Sequence, residues 1–157
     1  MKKILYLMLP LIYILLDQIT KLLIIKNIPY HSFIKLNDYF SIVNVGNTGV
    51  AFSMFQNNNI FFIVLVSLVL IYVIFFLVKN NKDFTKLQIN SFLLIISGGI
   101  GNLIDRIFRG AVVDFIDIGY KNVYRWPAFN IADSCVCVGV TLIIISILFF
   151  SKKKNNN

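Results

Sequence analysis

The chain has 157 residues, 58% of them hydrophobic, and a formal net charge of +8. An apolar share above the roughly 45–50% of soluble domains excludes an ordinary soluble domain and places the chain in a bilayer. The positive charge does not read as a nucleic-acid footprint, because the basic residues flank apolar runs instead of forming a stripe on one face.

Lys2 and Lys3 precede the first apolar run, Lys79, Lys82 and Lys86 separate the second from the third, and Lys152 to Lys154 follow the fourth. This positive-inside pattern predicts four spans with both termini cytoplasmic. The spans are expected near residues 4–25, 60–78, 87–109 and 131–150. No Pro/Gly/Ser-rich linker or internal repeat divides the chain, so residues 1–157 are read as one integral membrane unit.

The first span begins like a signal peptide, with lysines and then an apolar core, but no small-x-small cleavage site follows, so a retained anchor is expected. Asp17, Gln18, Thr20 and Lys21 interrupt it toward its outer end. Asp17 and Lys21 are spaced i, i+4 on one helix face and predict a structural ion pair. Residues 27–59 are too polar to span. Ile34, Leu36, Phe40 and Ile42 alternate around Asn37-Asp38, which predicts a short external hairpin. Asn47-Thr48-Gly49 then precedes a small apolar segment, residues 51–55, expected to lie along the membrane surface.

The second span is almost without polar residues and reads as scaffold. The third carries its polar groups in its last turns, where Gly98, Gly101, Asn102, Asp105 and Arg109 share one face at 100° per residue. Glycines there let another helix approach closely. An amide and a carboxylate on the same face need partners inside the bundle and mark a functional site. Residues 110–129 are outside again, with Asp114 and Asp117 among Val112, Val113, Phe115, Ile116 and Ile118. Asn130, three residues before Asp133, fits an N-cap with an acid in the first turn of the fourth span.

The chemistry available is narrow. The one histidine, His31, has no nucleophile turn around it and reads as a loop residue. The chain has no glutamate, hence no zinc-protease helix, and Cys135 and Cys137, two apart on a helix, point to different sides and fit small apolar packing residues rather than a disulfide or metal site. Neither metal nor cofactor is expected. Aspartates remain: four of the seven acids fall within residues 98–133. Asp114 and Asp133, on either side of a short connection, are expected to meet at the outer interface. Two close carboxylates sharing one proton allow one to take a proton from water while the other polarises a carbonyl. Two other readings use the same acids: a small transporter relaying protons or cations through Asp17, Asp105 and Asp133, and a packing scaffold without chemistry.

Asp17-x-x-x-Lys21, Asn47-x-Gly49-x-Ala51-Phe52, Gly98-Gly99-x-x-Gly101-Asn102-x-x-Asp105-Arg106, Val113-Asp114-Phe115 and Phe129-Asn130-x-Ala132-Asp133 occur in an order that resembles lipoprotein signal peptidase, also called signal peptidase II. The resemblance implies an all-α polytopic membrane protein, with four transmembrane helices, a small extracytoplasmic β-hairpin or cradle, and a surface helix. It implies an aspartic endopeptidase of the bacterial cytoplasmic membrane. Such an enzyme cuts a prolipoprotein on the N-terminal side of a diacylglyceryl-modified cysteine. Asp114 and Asp133 match the catalytic pair; Asn102, Asp105, Arg106 and Asn130 match supporting polar residues, and Asn47, Asp17 and Lys21 match further motif positions. The expected partners are the lipidated substrate and membrane lipid, with no nucleic acid, and the expected state is a monomer. Residues 50–55 and the hairpin are expected to close over the substrate.

Overall fold

The computed structural model describes residues 2–49, 58–121 and 123–150. In chain order the elements are α1 (Lys2–Asn27), β1 (Phe33–Lys35), β2 (Phe40–Asn47), α2 (Asn59–Asn80), α3 (Lys86–Phe108), β3 (Val112–Tyr120), β4 (Tyr124–Arg125) and α4 (Ile131–Phe150). The surface segment expected at residues 51–55, with Ala51 and Phe52 of the second motif, lies outside the described residues. So does the basic run at 152–154.

All four helices are long and apolar enough to cross a membrane. Their outer faces expose large side chains such as Leu15, Leu22, Leu68, Tyr72, Ile144 and Leu148, while Asp17, Lys21, Ser91, Ser97, Asp105 and Asn130 are fully buried. That inversion is what a hydrocarbon solvent selects, because polar groups there must find partners inside the protein. α3 is the hub: α1, α2 and α4 all pack on it, and α2 has no other substantial helix neighbour. The glycine face of α3 makes the close approaches. A Cβ on Gly98 would strike the Ala132 carbonyl oxygen and meet Val136 Cγ2 at 2.7 Å, and one on Gly101 would meet Asp17 Oδ2 at 2.8 Å.

Local chemistry sets the ends of α3. Thr85 Oγ1 accepts from Gln88 N at 3.2 Å, and Gln88 Oε1 accepts from Thr85 N at 2.9 Å, a reciprocal box that satisfies two otherwise orphaned donors. At the far end the Arg109 N–H bonds Asp105 O at 2.7 Å, and Gly110, at φ +78°, turns the chain out of the helix.

The hairpin forms where Asn37 predicted it. Its Oδ1 accepts from the N–H groups of Tyr39 (2.8 Å) and Phe40 (2.9 Å), closing the turn between β1 and β2. The sheet is larger than a hairpin, however: four antiparallel strands in the order β1-β2-β3-β4. Residues 112–120, expected outside the membrane without an assigned element, pair with β2 from Phe40↔Ile118 to Asn47↔Val112, with a register shift between Ile42 and Val45. Val112, Val113, Asp114 and Phe115 are all buried, so this strand lacks the alternation that reveals a half-exposed one.

Candidate active site

The polar residues of α1 and α3 meet in one buried cluster. Lys21 Nζ lies 2.8 Å from Asp17 Oδ2, the ion pair read from the i, i+4 spacing, and also 2.8 Å from Asp105 Oδ2 and 3.1 Å from Asn102 Oδ1. Arg109 pairs with Asp105 through its Nη1 and donates to Gln18 Oε1 at 2.8 Å. Gln18 Nε2 lies 3.1 Å from each of Asp17 Oδ2, Asp105 Oδ1 and the Gly101 carbonyl. Two acids, two cations and the amide between them balance one another. Breaking such a buried pair from one side costs about 3–5 kcal/mol, whereas the intact pair adds little net stability.

Gln18 was visible as a polar residue in an apolar span but drew no role from the sequence. It is the amide that links Arg109 to Asp17 and bonds Asp105 beside it.

The connection from β3 to α4 sets the next layer. Phe129 exchanges backbone hydrogen bonds with Ile116, accepting at 2.8 Å and donating at 3.0 Å, which returns the chain beside the strand that carries Asp114. Asn130 therefore sits against Asp114, donating from Nδ2 to Oδ1 at 2.8 Å. The same Asn130 caps α4: its Oδ1 accepts from Asp133 N at 2.8 Å, while Asp133 Oδ2 accepts from Asn130 N at 3.2 Å. Capping and site assembly are thus one arrangement rather than alternatives.

Asp133 also accepts from Asn102 Nδ2 at 2.7 Å, and Asp114 from Asn47 Nδ2 at 3.2 Å. Asn130 Nδ2 further reaches Asn102 Oδ1 at 3.2 Å. The two aspartates are joined through this amide web. Burial raises the Asp114 carboxyl to about 7, with the nearby Asp133 charge adding to the rise and the hydrogen bonds from Asn47 and Asn130 opposing it.

Arg106 faces away from the ion cluster. Its Nη2 donates to Gly49 O at 2.5 Å and its Nη1 to Thr48 O at 3.3 Å and Asn59 Oδ1 at 3.2 Å, with the guanidinium 4.8 Å above the Phe62 ring. It ties the end of the β2 segment to α2 and α3. Neither Asn59 nor the two carbonyls stood out in the sequence.

Asp114 and Asp133 open onto one cavity of about 650 Å³. Asn47, Asn102 and Arg106 add to its polar lining, and Phe62 and Val66 of α2 with Cys137 and Val138 of α4 make up much of its apolar lining. Trp126 and residues 127–129 close the side toward the sheet.

The remaining candidates lie elsewhere. His31 is exposed at φ +61° with its ring 4.1 Å from that of Tyr30, and is not in the cavity wall. Cys135 is buried, whereas Cys137 is exposed at the cavity, a departure from the reading of both as packing residues. Asp117 pairs with Arg125 Nη2 at 2.5 Å across β3 and β4. Asp117→Asn is therefore expected to leave turnover intact and to lower the melting temperature little, as loss of a partly exposed pair does.

Comparison with known proteins agrees over nearly the whole chain. Residues 9–149 match the family described as signal peptidase (SPase) II. The lipoprotein signal peptidase of Borrelia hermsii (strain HS1 / DAH) is 40% identical over 158 residues, covering 92% of this chain and 90% of that protein. The lipoprotein signal peptidase of Borreliella burgdorferi (strain ZS7) is 38% identical over 156 residues, covering 91% and 89%.

Two solved structures described as bacterial membrane enzymes share the fold. One superposes with a TM-score of 0.84 at 29% identity, over 97% of this chain and 92% of that chain; the other with 0.77 at 31%, over 92% of both. The resemblance first carried by the aspartate motifs extends through sequence and fold alike, and the chain belongs to the signal peptidase II family of multi-pass bacterial membrane peptidases.

Proposed function

We propose that Asp114 and Asp133 are the catalytic pair with which this peptidase cleaves the signal peptide from a diacylglyceryl-modified prolipoprotein, on the N-terminal side of the lipidated cysteine. The observation that carries the reading is their convergence on one cavity, with Asn130 bonded to both residues and Asn102 and Asn47 each holding one. Asp133, at the start of α4 and accepting from Asn102 Nδ2 and Asn130 N, is the ionised member. Asp114, more deeply buried, keeps the proton.

Asp133 takes a proton from water as the water oxygen attacks the scissile carbonyl carbon. Asp114 donates its hydrogen bond to the carbonyl oxygen as negative charge develops there. Collapse of the tetrahedral species breaks the C–N bond. The proton taken from water then goes to the leaving amine of the cysteine.

The substrate's chemistry suits the cavity's mixed polar and apolar lining. The peptide bond meets amides and carboxylates, and the diacylglyceryl chains meet the apolar side chains of α2 and α4, Phe62, Val66 and Val138, that line the same cavity. Lysines at the opposite end of the bundle support an extracytoplasmic site at the membrane–water interface, with both termini cytoplasmic. A transport pathway finds less support, since the acids gather at one end and Lys79 is the only charged residue of α2.

Purified protein in detergent should convert diacylglyceryl-modified prolipoprotein to a faster-migrating product on a gel and leave the unmodified precursor uncut. Equal cleavage of both would refute the lipid part of the assignment, and cleavage of neither by folded protein would refute the whole.

The pH profile follows from Asp114. A group that must hold its proton, and does so up to about 7, makes kcat/KM fall as pH rises through that value. The acid limb marks protonation of the second carboxylate, and both limbs belong to the pair. A rate that instead rises through neutrality into alkali would reverse the roles assigned to the two acids.

A further inference from the structure

Two buried carboxylates each hold one backbone N–H, and both N–H groups belong to the residue just before a dyad aspartate. Asp105 Oδ2 accepts from Val113 N at 3.0 Å, one residue ahead of Asp114. Asp17 Oδ1 accepts from Ala132 N at 2.9 Å, one residue ahead of Asp133. Lys21 Nζ lies 2.8 Å from each of these carboxylates.

We propose that Lys21 is the positioning residue that sets the spacing of Asp114 and Asp133, acting through Asp105 on one strand and Asp17 on one helix start. The proposal rests on the dyad reading above. A lysine ammonium has three N–H donors, and three acceptors surround this one: Asp17, Asp105 and Asn102 Oδ1 at 3.1 Å. The third contact also fixes the Asn102 amide. With Oδ1 turned to Lys21 and Asn130 Nδ2, its own Nδ2 must face Asp133, where it donates at 2.7 Å; the flipped amide would set donor against donor.

Charge compensation alone would require only that each acid have a cation nearby, and Arg109 already serves Asp105. It does not account for one Nζ bridging the very two carboxylates that grip the chain beside each dyad member. Lys21 is not among the residues that line the cavity. Its contacts reach the dyad through the Asp17 and Asp105 carboxylates and through the Asn102 amide.

The test needs a variant that keeps the buried charge balanced. Lys21→Met alone strands two acids on one arginine and is expected to unfold. Lys21→Met with Asp17→Asn removes one charge of each sign and keeps an oxygen for Ala132 N. In this double variant kcat should fall about 100-fold with KM within roughly twofold, since displacement by about 1 Å costs that much when binding is intact. A wild-type kcat in the folded variant would overturn the proposal.

A second readout does not depend on proteolysis. In protein labelled with ¹⁵N at valine, the amide resonance of Val113, whose acceptor Asp105 is unchanged in the double variant, should shift and exchange faster than in Asp17→Asn alone, while that of Val64 in α2 stays put. An unmoved Val113 resonance would overturn the role even if no substrate were ever cleaved. Collapse of both would assign Lys21 to folding alone. A moved Val113 amide beside a wild type that cleaves nothing would instead remove the dyad reading and leave the spacing role standing.

Discussion

Asparagine in place of Asp114 is expected to lower kcat by about 1,000-fold or more, and so is asparagine in place of Asp133, because each change deletes a proton-transfer partner. The double replacement should be scarcely worse than either single one, since the two act as a unit. Conversion of lipidated precursor on gels measures this, with near-ultraviolet circular dichroism as the check on folding. Turnover above a tenth of wild type in either variant would remove that residue from the dyad.

The same Asp114 variant should be more stable than wild type on the alkaline side. Asp114 holds its proton to about 7 in the fold against an ordinary 3.8, so the folded chain carries the extra proton between those values. Its stabilising contribution is complete below the ordinary value and is lost as pH rises through about 7. Asparagine cannot ionise, and the gain should vanish in acid.

Gly98→Ala is the second large effect. The new methyl would strike the Ala132 carbonyl, a backbone atom that cannot rotate away, and press on Val136 Cγ2 at 2.7 Å. The strain should cost about 1–3 kcal/mol. Relief by moving the start of α4 carries Asp133 with it, so kcat should drop by about 100-fold. Gly99→Ala is the natural control: there the methyl meets Leu70 side-chain carbons, Cδ2 at 2.7 Å, and a leucine can change rotamer. Melting temperatures and kcat values in one detergent compare the two, and equal losses would show that the helix seam does not govern the site.

Much of this arrangement is legible in the sequence because it is local. The i, i+4 spacing of Asp17 and Lys21, the shared face from Gly98 to Arg109, the Asn37 turn and the Asn130 cap each involve residues within about three turns or one loop. What the sequence conceals is long-range or written in backbone atoms. Lys21 bonding Asp105 joins residues on different helices. The grip of Arg106 on the Thr48 and Gly49 carbonyls leaves no trace, since any residue offers a carbonyl. The β3 strand is hidden because Val112, Val113, Asp114 and Phe115 are buried on both faces. Its tie to Phe129 spans thirteen residues without a turn signature.

The reciprocal bonds between Asn130 and Asp133 carry a kinetic consequence. Terminal turns are where helices ordinarily fray first. Here the fraying of one turn is also the disassembly of the acid pair, because the side chain that starts α4 is the one that holds Asp114. The fraction of molecules ready to react at any instant is then the closed fraction of a single helix end. Loss of activity on heating should therefore track the opening of that one turn, as read from hydrogen exchange at Ala132 and Asp133.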